Sequence, residues 1–551
     1  MDNNQQPQLS FDLAALLAGV TDLTGFPPSM VPPPPPAVPT AASCAMPQTG
    51  SAPTAPSAAD FRVLALPDAL LPMDVAMYSG HLACDDAGST LFFMYFERTV
   101  NPTDDLILWL NGGPGTSSLF GQFVENGPLR VNAAAMNGGA PALAHNPHSW
   151  HHAANLLYLE LPAGVGFAHV PGPDMHATRL SQVTGQFWRF AQRWTAIFAP
   201  PRQPPMAAPL FDPSLDFWPR PQFKWWLMGE SFAGMFIPHI VHGLVDLNAA
   251  APSRNERPLA ISGIAIFNGA YFSPVDIPVN WVDYFLSRHW LRDQALRTEL
   301  VTLRHAASTE LAALAACHGP ATLPTGPGGA PTPSISGPVP QALPNCTALA
   351  ARFMDADYIE RATQGNHSLP TFHDGSVTAR GSPAPTDAAR AALTAYLNRA
   401  DVQFAMHAAI LPVEWSWLRR ETYERLYWNG DRPSFALLPS IVERGIPVLL
   451  AHGDRDVLCN HVGAEQMLST LEWQGGVGFG VGAGLVPYVP AGAGASGEKI
   501  GGIVGRGGLT YIKVRGAGHM VPFHAPAASL NLVKDFLSGR LSSPSSPLPS
   551  S

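Results

Sequence analysis

One serine, two aspartates and one histidine stand in contexts that suit nucleophilic catalysis. Ser231 lies within FKWWLMGESFAGMFIPHIVHGLVDLN, residues 223–248. A serine hydroxyl is a poor nucleophile near neutral pH. It needs a general base, and the base needs a carboxylate to orient it. His519 sits in the glycine-rich turn RGAGHMVP, which singles it out among 19 histidines as the base. Asp454 and Asp456, in HGDRD, both qualify as the orienting acid, and pattern alone does not separate them. The chain order serine, aspartate, histidine fits a scaffold in which each group follows the end of a strand. A fourth stretch, Asn111 to Ser118 (NGGPGTSS), places three glycines directly after an apolar run. Glycines let a backbone come close to a ligand and aim its N–H groups at it. No lysine follows as in a phosphate-binding loop, and the G-x-G-x-x-G spacing is missing. The remaining use, besides an ordinary turn, is an oxyanion hole. Its donors would be the N–H groups of Gly113, with Gly112 beside it, and of Phe232.

The elements that must hold these groups are also readable. Residues 223–228 are almost wholly apolar, which suits a strand buried on both faces. From Phe232 the apolar residues recur at helical spacing, so Ser231 falls on a strand-to-helix turn. The G-x-S-x-G pattern is only partly met, because Ala233 stands where the second glycine would be. Further strands are expected at 90–96, 106–110, 155–161, 261–267, 446–451 and 509–514. Helices are expected at 180–198 and 525–537. This alternation predicts an α/β fold with a mostly parallel central sheet covered by helices on both faces. Residues 273–380 break the rhythm and read as a helical insertion placed like a lid, with a helix at 293–317. Cys317 and Cys346 bracket its Pro/Gly-rich break (319–340), and a disulfide between them would close it. Residues 475–508 read as a glycine-rich loop. The folded domain is expected at 61–541. It would be flanked by a disordered, Pro-rich extension (1–60) and a Ser/Pro tail (542–551). Pro32 to Pro36 suit a polyproline ligand, or merely a flexible extension.

Composition narrows the function classes. The 551 residues carry a net charge of -9 and no basic run, which argues against a nucleic-acid partner. Five cysteines are too few for a disulfide scaffold and form no C-x-x-C pair, so no metal and no cofactor are expected. No apolar run reaches the roughly 20 residues of a membrane-spanning helix. The first 20 residues carry Asp2 and Asp12 and no Lys or Arg, a poor secretory signal.

Five stretches in order carry a resemblance: LILWLNGGPGTSSLFGQFVENGPLRV, NLLYLELPAGVGF, GESFAGMFIP, GIPVLLAHGDRDVLCN and GAGHMVPFHAP. Together they resemble the serine carboxypeptidases, a branch of the α/β hydrolases. RPSFALLPSIVERGIPVLLAHGDRDVLCN and WQGGVGF are most similar to the pheromone-processing, Kex-type group. The resemblance implies that Ser231 is the nucleophile, Asp456 the acid and His519 the base, with Gly113 and Phe232 as the oxyanion hole. It implies that Trp109, Asn111, Glu125 and Glu230 recognise the free carboxylate at a peptide or protein C-terminus. Two carboxyls brought together do not both ionise cheaply, so one keeps a proton with which to bind the substrate. The resemblance further implies a substrate pocket with Phe120 and Met520 on the leaving side and Cys459 as a free thiol on the acyl side. Phe120 stands where the Kex-type group is typically acidic, which predicts a preference for apolar C-terminal residues over Lys or Arg. Thr116 replaces a cysteine that relatives usually pair with one in the insertion, so that bridge is expected to be absent. The family implies a secretory, vacuolar, lysosomal or extracellular location. Asn345-Cys346-Thr347 and Asn366-His367-Ser368 are potential glycosylation sites. Two other readings are an acyltransferase on the same scaffold and a non-catalytic binding protein. Retention of Asn111, Glu125 and Glu230 argues against the first, and the intact triad against the second.

Overall fold

The computed structural model describes residues 56–541 apart from 70–73, 133–141, 200–222, 272–276, 319–343, 355, 364–384, 409–413, 428–430 and 492–497. The expected extension at 1–60, except its last five residues, and the tail at 542–551 lie outside the described residues, as do the break at 319–340 and Asn366.

Eleven strands form one sheet. In chain order they are β1 (Arg62–Val63), β2 (Val75–Ala83), β3 (Thr90–Arg98), β4 (Asp105–Leu110), β5 (Asn155–Leu159), β6 (Lys224–Glu230), β7 (Ile261–Phe267), β8 (Val448–Gly453), β9 (Val486–Tyr488), β10 (Gly501–Arg506) and β11 (Leu509–Val514). Their spatial order is β1-β2-β3-β5-β4-β6-β7-β8-β11-β10-β9. The run from β5 through β11 is parallel, and antiparallel strands finish both edges. β6, which leads to Ser231, lies between β4 and β7 in the middle of the parallel run.

Side-chain alternation on the central strands makes two cores. Leu106, Leu108, Trp225 and Leu227 face one side, where α1 (Leu180–Phe198) and α2 (Ala233–Ala250) bury Phe187, Trp194, Phe236 and Ile240. Ile107, Trp109, Trp226 and Met228 face the other. The period of two puts neighbours on opposite faces, and both faces are dry, so these strands read as continuous apolar runs.

Four helices make up the described part of 273–380: α3 (Ile277–Ser287), α4 (Gln294–His318), α5 (Pro344–Met354) and α6 (Ala356–Thr363). They enclose a third, separate core around Trp281, Tyr284, Phe285, Leu349 and Phe353. The second face of the sheet is closed by α7 (Pro385–Leu397) and α8 (Pro526–Leu537), through Leu393, Tyr396, Val533 and Phe536. Cys346 is buried, with its Sγ 3.8 Å from the Ala307 carbonyl. The side chain of Cys317, and with it the expected pairing, lies outside the described residues. The side-chain amide of Asn345 donates to Glu310.

One expectation is corrected. The stretch 475–508 is not a simple loop: β9 and β10 within it extend the sheet, and β10 pairs antiparallel with β11 along its whole length. Glycine hides this strand from propensity reasoning, yet the sheet needs it. A Cβ at Gly501 would overlap the Lys513 carbonyl.

Candidate active site

Ser231 is held in a left-handed conformation, φ +59°, at the end of β6. Few non-glycine residues adopt it without compensation. Here the turn is bound on both sides. The Ser231 N–H donates to the Phe267 carbonyl at 3.1 Å, and its carbonyl accepts from Gly234 and Ala270 at 2.9 Å each. Ala233 fits in place of glycine because the opposing residue is Gly229, whose own Cβ would come within 2.7 Å of the Ala233 methyl. Pro238 sits inside α2 without breaking it. It has no N–H for the Gly234 carbonyl, and the Ser434 hydroxyl donates there instead, at 2.6 Å.

His519 Nδ1 lies 2.9 Å from Asp456 Oδ2. Asp456 is fully buried, and its carboxylate also accepts from the amides of Leu458 at 2.9 Å and Cys459 at 3.3 Å. The ambiguity between the two aspartates disappears here. Asp454 turns away to accept from the Gly516 amide at 2.7 Å. Burial disfavours the imidazolium of His519, but the Asp456 charge and hydrogen bond, with Glu125 behind them, hold its pKa above the ordinary value. Asn268 fixes the histidine turn by donating to the Gly518 and His519 carbonyls at 2.7 and 2.6 Å. The insertion braces the acid loop: Trp281 donates to the Leu458 carbonyl at 3.0 Å and Tyr284 to that of Asp454 at 2.9 Å.

The glycine loop after β4 lies against the serine turn. A Cβ on Gly112 would overlap the Phe232 amide nitrogen and stand 2.7 Å from the Ser231 Cβ, so only glycine permits the approach. Gly113 and Gly115 have φ of +104° and +98°.

Beneath the loop a buried polar cluster joins four residues. The Trp109 indole donates to Asn111 Oδ1 at 2.8 Å, and Asn111 Nδ2 donates to Glu230 at 2.8 Å and Glu125 at 3.2 Å. Burial pushes Glu125 up to about 7. Glu230 is raised well above the carboxylate range by burial and by the charge of Glu125. Glu125 and Glu230 also hydrogen-bond to each other through their side chains, which requires a proton on one of them.

A cavity of about 130 Å³ opens over these groups. Ser231, His519, Gly113 and Glu230 line it, with Phe120 and Met520. Cys459 is not among its lining residues. It is buried beside Leu458, which does line the cavity, and its thiol is raised well above the usual range by burial, Asp456 and Glu230. Thr386 and Arg390 of α7, and Trp417, Leu418 and Tyr423, also line the cavity. They belong to no motif, because contacts made across 300 residues leave no local pattern in the sequence. Thr116 forms a β-bridge with Leu418, so backbone pairing joins the glycine loop to this wall.

The only metal-type grouping among the described residues is Asp74, His151 and His152, with ligand atoms within 4.8 Å of one another. Asp74 pairs with His151 Nε2 at 3.1 Å, and the charges of Lys534 and Arg98 oppose a cation there. No helix among the described residues is long and apolar enough to cross a membrane.

Comparison with known proteins agrees with this architecture. The chain is 29% identical over 492 residues to the pheromone-processing carboxypeptidase kex1 of Pyrenophora tritici-repentis, covering 87% of this chain and 67% of that one. It is 27% identical over 497 residues to the Aspergillus niger protein of the same name, covering 88% and 71%. The crystal structure of Kex1(delta)p, a prohormone-processing carboxypeptidase from Saccharomyces cerevisiae, superposes with a TM-score of 0.70 at 22% identity. That match covers 88% of this chain and 97% of the other and shows a shared fold. Residues 67–539 match the family described as serine carboxypeptidase, and the chain belongs to that family of α/β hydrolases.

Proposed function

We propose that this carboxypeptidase releases single C-terminal amino acids from peptides through an acyl-enzyme on Ser231, works best at acid pH, and favours apolar leaving residues. The observation that carries the reading is the buried Glu125–Asn111–Glu230 cluster, with Glu230 adjacent to the serine and lining its cavity. An exopeptidase must bind a free carboxylate beside the scissile bond. A carboxyl pair that keeps a proton donates a hydrogen bond to that group, while Trp109 and Asn111 spend their N–H groups holding the pair in place.

In the reaction, the Ser231 hydroxyl adds to the last peptide carbonyl while His519 takes its proton. The oxyanion is held by the Gly113 and Phe232 N–H groups, each worth on the order of 3 kcal/mol in the transition state. The C–N bond breaks, His519 protonates the leaving amine, and the free amino acid departs. Water, deprotonated by His519, then cleaves the ester and restores Ser231. Asp456 holds the imidazole and stabilises its charged form. Glu125 is held protonated up to about 7 and Glu230 higher, so as pH rises through about 7 the pair acquires its first negative charge, which opposes the substrate carboxylate. Phe120 and Met520 give the cavity an apolar side that suits leucine or phenylalanine as the leaving residue. A location in the secretory pathway, vacuole, lysosome or medium accords with an acid optimum.

The test uses the full chain and a blocked dipeptide ending in leucine at pH 5, beside a Ser231→Ala control. Leucine release that disappears in the control supports the reading. No release from folded protein overturns it.

A further inference from the structure

The stretch NLLYLELPAGVGF carries one acidic residue, Glu160, that the chemistry above does not use. Glu160 directly follows β5 and is fully buried. One of its oxygens accepts from the Ser117 hydroxyl and from the Trp415 indole N–H at 3.3 Å, and the other from the Phe167 amide. These donors come from three segments far apart in the chain. Gly166 admits the carboxyl, since a Cβ there would overlap it.

Two of the three segments bound the catalytic cavity. Ser117 ends the glycine loop four residues after Gly113. Trp415 begins the wall that presents Trp417 and Leu418 to the cavity. Loop and wall are paired along their backbones, from Ser117 N–H to the Trp417 carbonyl and from Arg419 N–H to the Gly115 carbonyl, both at 2.9 Å. The loop needs such fixing. Glycines leave its backbone permissive, and an oxyanion donor works only when held to within a fraction of an ångström. At the bridge itself stand Thr116 and Leu418, which cannot cross-link covalently.

We infer that Glu160 is a positioning residue: it ties the glycine loop to the pocket wall through Ser117 and Trp415, and so holds the Gly113 N–H where the oxyanion forms. This rests on the acyl-enzyme reading above. Glutamine keeps the shape but has one acceptor oxygen for the Phe167 and Trp415 donors, which lie at opposite ends of the carboxyl, so it holds the tie only in part. Alanine removes the carboxyl and leaves the direct Trp415–Ser117 bond of 3.2 Å and the backbone pairs.

The experiment measures kcat and KM of the full chain on the leucine-terminated dipeptide at pH 5. It also measures the affinity of a blocked peptide aldehyde, whose adduct with Ser231 carries an oxyanion, and of a blocked amino acid with a free carboxylate, which does not. Glu160→Ala is expected to lower kcat and weaken the aldehyde at least tenfold each, with the carboxylate ligand within threefold of wild type. Glu160→Gln, which keeps one of the two acceptors, is expected to give a kcat between those of Glu160→Ala and wild type. If Glu160→Ala does not fold, Ser117→Ala cuts the same tie and carries the same expectation. A folded variant whose kcat and aldehyde affinity stay within twofold of wild type overturns the inference, as does equal weakening of both ligands. Wild-type protein that releases no leucine overturns the acyl-enzyme reading as well.

Discussion

At the level of single residues, Ser231 and His519 face the cavity, while Asp456 and Glu125 lie behind it, fully buried. Asp456→Asn keeps the shape but favours the wrong tautomer of His519. It is expected to lower kcat by about 10³ to 10⁴ with little change in KM, measured by leucine release. Glu125→Gln tests the clamp. A glutamine cannot ionise, so the rise of KM between pH 5 and 8 expected of the wild type should flatten in this variant. A wild-type KM that stays flat across that range would refute the shared-proton account. The Cys459 thiol, raised by burial, is expected to react with mercurials only slowly at neutral pH, followed as loss of activity over time.

Elements set how closely these residues approach. α2 packs its first turn on the chain after β7, and a Cβ at Gly234 would stand 2.7 Å from the Ala270 carbonyl. Gly234→Ala must push α2 away and shift the serine turn with it. We expect a loss of about 1–3 kcal/mol in a denaturant melt and a lower kcat in the protein that remains folded. In the proposed reading the leaving-side wall is formed by Phe120, in a helical segment that runs from Ser118 through Asn126. Phe120→Glu is expected to change the ratio of kcat/KM for Lys-terminal over Leu-terminal peptides by about tenfold in favour of lysine, or 1.4 kcal/mol. A wild type that already prefers the Lys-terminal peptide would refute the apolar assignment.

Across the whole molecule, buried titrating groups oppose one another. His81, His151, His239 and His452 are pulled down to about 4, and His461 to about 3, chiefly by burial. Below their ordinary value the unfolded chain takes up protons that the folded one refuses, so stability is lost as pH falls through 6.5. Glu125 and Glu160 are pushed up to about 7, and Glu230 higher. Their contribution is full at low pH and is lost as pH rises through 7. The melting temperature is therefore expected to peak near pH 6 to 7 and to fall on both sides. A melting temperature that climbs steadily from pH 5 to 8 would contradict this.

The sequence by itself determined the parallel core, since strands buried on both faces must be apolar throughout and helices between them must show a 3.6-residue period. β7, β11 and α1 have the expected boundaries for that reason. It also determined the serine turn and the glycine loop, where backbone geometry restricts residue type locally. Spacing left Asp454 and Asp456 open and the family resemblance implied Asp456; the tertiary structure supplies the reason, because both follow the same strand and only Asp456 faces the histidine. It alone revealed β9 and β10, where β10 pairs with β11 and β9 with β10, and where Tyr488 and Ile503 reach the core from glycine-rich surroundings. It alone assembled the pocket wall from α7 and residues 417–423, and the Glu160 tie. Those contacts join segments hundreds of residues apart, and no local spacing in the chain records a hydrogen bond closed across such a distance.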